Sequence, residues 1–125
     1  MHCVHVAMSN KELGQIGEDL AVEYLRANEY VILDRNWRSS LSELDIVARH
    51  NRTLVFCEVK TRRSENFGLP AEAVTAAKRE HLRNGALAWL AAHQIRYSGM
   101  RFDVVGVMYQ SAVQHSITHV QGIDV

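Results

Sequence analysis

The chain has 125 residues, 47% of them hydrophobic and one a proline, which is enough for one compact core and too little for two. Its 14 basic and 14 acidic side chains cancel, which excludes a uniformly basic nucleic-acid coat, and no apolar run approaches the roughly 20 residues that cross a bilayer. With two cysteines and no signal-peptide pattern, the expectation is a cytoplasmic protein with no structural disulfide and no membrane partner.

Residues 1–8 show no period and read as a loose leader, leaving 9–125 as a single domain. Ser9-Asn-Lys-Glu12 has the spacing of a capping box, in which a hydroxyl takes up a free backbone N–H at a helix start. Leu13, Ile16, Gly17, Leu20, Ala21, Tyr24 and Leu25 then keep one helical face as far as Asn28. Strands are predicted over Tyr30 to Leu33, Glu43 to Ala48 and Thr53 to Thr61, each rich in β-branched or aromatic residues. Asn51-Arg52 is the turn that makes the second and third strands a hairpin.

Arg62-Arg-Ser-Glu-Asn-Phe-Gly68 carries few core residues and reads as an exposed loop. Pro70 suits the first turn of a second helix running from Ala71 to about His93, with Val74, Ala77, Leu82, Ala86, Trp89 and Leu90 inward. Phe102 to Tyr109 forms a further strand and Ser116 to Val120 a short edge strand. Helix, three strands, helix and strand in that order give an α/β fold with a mixed sheet flanked by helices.

The chemistry concentrates in the hairpin. In Leu54-Val-Phe-Cys-Glu-Val-Lys60 strand alternation puts Glu58 and Lys60 on one face and Cys57 and Val59 on the other. Neither charge belongs in a core without a partner, because burying an ion uncompensated costs several kcal/mol, roughly. Ser42-Glu-Leu-Asp-Ile-Val-Ala48 repeats the pattern, with Glu43 and Asp45 expected opposite Leu44, Ile46 and Ala48. Antiparallel pairing then brings Asp45 close to Glu58 and Lys60.

Charge is unevenly spread. Residues 35–63 hold seven basic and three acidic groups, and the three acids are Glu43, Asp45 and Glu58. The plain alternatives are a buried salt bridge for the strand residues and an ordinary solvated surface for the arginines. The seven histidines do not fall into a four-ligand zinc pattern, and Trp37 reads as core rather than as a base-stacking ring.

Gly14-Gln-Ile-Gly-Glu18, Arg35-Asn-Trp-Arg38, Ser42-Glu-Leu-Asp45, Val55-Phe-Cys-Glu-Val-Lys-Thr-Arg62, Lys78 and Arg101-Phe-Asp-Val-Val105 together resemble the YraN-like family of small bacterial proteins predicted to be nucleases. That family is similar to the restriction-endonuclease-like PD-(D/E)XK superfamily and, within it, to archaeal Holliday-junction resolvases. The resemblance implies an αβββαβ core and a Mg2+-dependent endonuclease, with Mn2+ as a substitute, acting on branched or structured DNA. It implies catalytic roles for Asp45, Glu58, Lys60 and Glu18, with Asp45 and Glu58 as the metal ligands and Glu43 nearby. It further implies nucleic-acid contacts by Arg38, Arg62, Arg63 and Lys78, and a homodimer. Leu44 stands where the superfamily has proline, and Ser42 where glycine is expected. The alternative reading keeps the fold as a non-catalytic nucleic-acid-binding module.

Overall fold

A computed structural model describes residues 8–40, 42–63 and 74–125. Helix α1 (Asn10–Ala27) starts at Ser9, whose hydroxyl accepts the Glu12 N–H at 3.1 Å as the capping-box spacing predicts. Three antiparallel strands follow: β1 (Val31–Arg38), β2 (Glu43–His50) and β3 (Thr53–Arg62). Asn51 makes the β2–β3 turn with a left-handed φ of 57°, a conformation asparagine tolerates. Helix α2 (Ala76–Ala92) carries the chain back across the sheet, so β4 (Gly99–Ser111) pairs parallel to β3; β5 (Gln114–Val120) returns antiparallel beside it. The described residues thus form a mixed sheet in the order β1-β2-β3-β4-β5, an α/β fold. None of their helices is long and apolar enough to cross a membrane.

Each helix covers one sheet face. Ala21, Val22 and Leu25 of α1 pack with Ile46, Ala48, Val55, Cys57, Val105 and Val107. On the other face Leu82, Ala86 and Trp89 of α2 pack with Leu44, Val47, Leu54, Phe56 and Val104. Covering both faces of β2, β3 and β4 makes these strands near-continuous apolar runs, each fully buried large side chain stabilising the fold by about 1.5–3 kcal/mol. Cys57 is buried and free, while Cys3 lies outside the described residues.

Two close approaches set how the helices sit. A Cβ on Gly17 would collide with the Thr61 side chain, so α1 touches β3 through bare backbone. A Cβ on Gly85 would come within 2.8 Å of Leu44 Cδ2 and 2.9 Å of Ser42 Oγ, so α2 rests on the start of β2 in the same way.

Four expectations change. β1 runs to Arg38 rather than ending at Leu33, as an edge strand with a register shift between Ile32 and Asp34. β4 and β5 are likewise longer than expected, at Gly99–Ser111 and Gln114–Val120. Val74 and Thr75 are not helical, so no helix runs unbroken from Ala71: Thr75 is extended, and its hydroxyl caps α2 by accepting the Lys78 N–H at 3.2 Å. Leu44 does not share a face with Ile46 and Ala48 but packs on the α2 side, because β2 leaves its ladder with β3 at Ile46. The leader over residues 1–7, the loop over 64–68 and the Pro70 helix start lie outside the described residues.

Candidate functional site

The β2–β3 ladder ends at the pair Ile46 and Cys57, and the next residue on each strand is an acid. Past that point the Asp45 carboxylate does what a strand carbonyl would do, its Oδ2 accepting the Val59 N–H at 2.8 Å. The splaying strands thereby hold Asp45 beside Glu58. Burial pushes the Asp45 carboxyl up, the Glu58 charge pushes it further, and the Val59 N–H and Lys78 only partly offset them, leaving it near 7, at about 7 rather than 3.8.

Glu58 is 2% exposed. Its Oε1 meets two ammonium groups, Lys78 Nζ at 3.0 Å and Lys60 Nζ at 3.6 Å. Its Oε2 is buried with no hydrogen-bond donor among the described residues. Lys60 shares the face of Glu58, as strand alternation requires, while Cys57 and Val59 pack toward α1. Lys78 arrives from the first turn of α2. Burial works against its charge, but attraction to Glu58 outweighs that and holds its ammonium above the ordinary lysine value.

An open groove of about 680 Å³ between α1 and the sheet reaches Asp45 and Lys60, lined also by Asn10, Lys11, Gly14, Gln15, Glu18, Asn36 and Arg38 among others. Glu18 reaches it from α1, held by β1. Its Oε1 accepts from Asn36 Nδ2 at 2.8 Å and Arg35 Nε at 3.2 Å, and Arg35 also bridges to Asp19 at 2.5 Å. Burial raises the Glu18 carboxyl more than the Arg35 contact lowers it. Asn36 occupies a left-handed φ of 49° within β1, a local strain that comes with aiming its amide at Glu18.

The structure therefore brings Asp45, Glu58, Lys60 and Lys78 together and sets Glu18 on the same groove. Glu43 lies farther out: it is exposed, pairs with Arg38 at 3.6 Å and reaches Lys78 only through its charge. Arg63 donates to the Met8 carbonyl at 2.5 Å, bracing the approach to α1, and Arg62 is half-buried at the end of β3. Among the described residues no group of three or more His, Cys, Asp or Glu side chains is placed to hold a metal ion. Asp45 with Glu58 is a two-carboxylate set. That number suits magnesium, which keeps waters and takes phosphate oxygens for the rest.

The Glu18 clamp was not foreseen in the sequence, although Arg35 and Asn36 stand in a motif quoted for its resemblance. Nor was a second polar cluster at the far end of α1. There Asp103, fully buried on β4, takes Arg101 Nε at 2.8 Å, Arg101 Nη2 at 2.9 Å, His119 Nε2 at 2.6 Å and the Gly122 N–H at 3.0 Å. His119 Nδ1 meets the Tyr24 hydroxyl at 3.0 Å, and Arg101 donates to the Tyr30 hydroxyl at 2.8 Å. The available signal was the one that marked Glu58: an acid within an apolar strand, Phe102-Asp-Val-Val105.

Residues 17–107, which run from within α1 through α2 and take in Glu18, Asp45, Glu58 and Asp103, match the profile of the family described as "Uncharacterised protein family UPF0102". Similar curated proteins, each described as a UPF0102 protein, include one from Geotalea daltonii, 42% identical over 112 residues that cover 90% of this chain and 88% of the relative. One from Acidothermus cellulolyticus is 43% identical over 126 residues, covering 93% of this chain and 96% of the relative. Another, from Rhodococcus opacus, is 46% identical over 112 residues, covering 90% and 95%. On the strength of that match and these three relatives, the chain belongs to the UPF0102 family, the YraN-like group its motifs resemble.

Proposed function

We propose that this protein is a magnesium-dependent endonuclease of the restriction-endonuclease-like PD-(D/E)XK kind, hydrolysing phosphodiester bonds in branched or structured DNA. The observation that carries the reading is the Glu58 carboxylate, buried beside Asp45 with two ammonium groups on one oxygen and no donor among the described residues on the other. Two ionised carboxylates are acceptors only, so such a pair is relieved by a shared proton or by a cation. Lys60 and Lys78 meet Oε1 only, so Oε2 is left without a donor among the described residues, a cost that a divalent cation would relieve.

Asp45 and Glu58 Oε2 would hold the ion, which when bound would polarise a phosphate and lower the pKa of a water. Lys60, on the groove wall, would take a phosphate oxygen and the negative charge that develops on it. Lys11 and Arg38 line the same groove, where they would hold neighbouring phosphates. Glu18, fixed through Oε1 by Asn36 and Arg35, would face the reaction from the α1 side.

One observation favours the second reading, a nucleic-acid-binding module without turnover: Glu58 already has two ammonium partners, and no three-ligand cluster exists among the described residues. Cleavage of labelled linear, flap and four-way DNA with Mg2+ separates the two. The nuclease reading expects cleavage of at least one substrate and a loss of about a thousandfold in Asp45→Ala, the scale of removing one transition-state-stabilising group. Equal cleavage in that variant contradicts it. Binding without cleavage in the wild type supports the module.

A further inference from the structure

Lys78 sits where a lysine is locally unfavourable. It belongs to the first turn of α2, where the helix dipole favours acids, and that turn contains none. Its backbone is fixed, for its N–H is capped by Thr75, and α2 is seated on β2 through Gly85 and through the Ser42 hydroxyl donating to the His81 carbonyl at 2.6 Å. Its side chain is not fixed in the same way. The stem is long and flexible, and the side chain is 38% exposed.

The ammonium nevertheless lies 3.0 Å from Glu58 Oε1, nearer than the 3.6 Å of Lys60, and so supplies the closest positive charge to a buried carboxylate. Lys60 has less choice. Its backbone belongs to the β3–β4 ladder, paired with Gly106, and strand alternation fixes it beside Glu58. Two ammonium groups thus crowd one oxygen while the other oxygen stays bare. A divalent ion arriving at Oε2 and Asp45 would meet both positive charges, and Lys78, the nearer at 3.0 Å, competes with it most directly for Glu58.

We propose that Lys78 is the resident counter-ion of this site, neutralising Glu58 in the metal-free protein and giving it up when a divalent cation binds Asp45 and Glu58. Metal and Lys78 are then competitors for one carboxylate, and each weakens the other reciprocally. The released ammonium is left at the mouth of the site, free to take a phosphate oxygen of the substrate. Metal uptake would thereby prepare phosphate binding. This rests on the metal-binding reading given above, and it adds to a phosphate contact by Lys78 a prior role as counter-ion in the metal-free protein.

The test is calorimetric titration of Mn2+ into the wild type, Lys78→Met and Lys78→Gln, with a thermal melt of each metal-free protein to establish that it is folded. Gln keeps a polar stem should Met disturb the fold. The expected result is metal binding about fivefold or more tighter in the Lys78 variants, the low end of coupling between two linked sites, with a larger metal-induced rise in melting temperature. Wild-type binding with unchanged or weaker affinity in the folded variants overturns the counter-ion role and leaves the metal site standing. Absence of binding in all three overturns the metal reading itself, and the counter-ion with it.

Discussion

Two buried acids on neighbouring strands, Glu58 and Asp103, meet opposite fates. Asp103 is fully buried, and both oxygens are occupied by Arg101, His119 and the Gly122 N–H. Burial pushes its carboxyl up, but those hydrogen bonds together outweigh it and hold it below the usual aspartate range. Because an ionised carboxylate only accepts, His119 donates to it from Nε2, while Nδ1 on the other side of the ring meets the Tyr24 hydroxyl. Glu58 has two lysines on one oxygen and, among the described residues, no donor on the other, beside a second acid. A satisfied buried acid ties elements together, here α1, β4 and β5; an unsatisfied one is a cost that a ligand can relieve.

Removing each acid should break this contrast most plainly. Asp103→Ala strands the half-buried Arg101 and the His119 side chain, which is 5% exposed, and is expected to lower unfolding free energy by about 3–5 kcal/mol in a urea melt. Glu58→Gln should cost about 1 kcal/mol or less, because Lys60 and Lys78 can turn their partly exposed tips to water. A Glu58 variant as unstable as the Asp103 variant would make both acids structural.

Gly17→Ala should come next, at about 1–3 kcal/mol, since the added methyl drives α1 off Thr61 and with it the Glu18 side of the groove. The acids also impose opposite pH slopes. Asp103, lowered in the native state, stabilises above the ordinary aspartate value, and its contribution is lost as pH falls through its depressed native value. Asp45, raised to about 7, keeps a proton that the unfolded chain releases above 3.8, so metal-free stability should fall as pH rises across that window. Asp45→Asn should flatten that fall in melts at successive pH values. The smallest effect should be Glu43→Gln, within about 0.5 kcal/mol by the same melts, because its pair with Arg38 is exposed.

How much was legible follows from how local each signal is. The capping box at Ser9, the Asn51-Arg52 turn and the alternation that sets Glu58 with Lys60 are short-range patterns, and the structure reproduces them. β1 was half visible, because its second half, Asp34-Arg-Asn-Trp-Arg38, is a polar edge strand whose partner lies on one side only. Leu44 was assigned to the wrong face because alternation assumes a continuous ladder, and β2 leaves β3 at Ile46. Thr75 caps α2, and threonine is a capping residue, but a lone threonine before an alanine-rich run is a weak local signal. The contact of Lys78 with Glu58, the clamp of Asn36 on Glu18 and the grouping of Tyr24, Asp103 and His119 all join separate elements, and no local pattern announces them.

Under the proposed function the unsatisfied Glu58 oxygen takes a divalent cation. Thermal unfolding of wild type and Glu58→Gln, with and without saturating Mg2+, tests it directly. The account predicts that Mg2+ raises the wild-type melting temperature and leaves the variant unmoved, because binding to the native state alone stabilises it. No Mg2+-induced rise in the wild type, or an equal rise in both proteins, would contradict it.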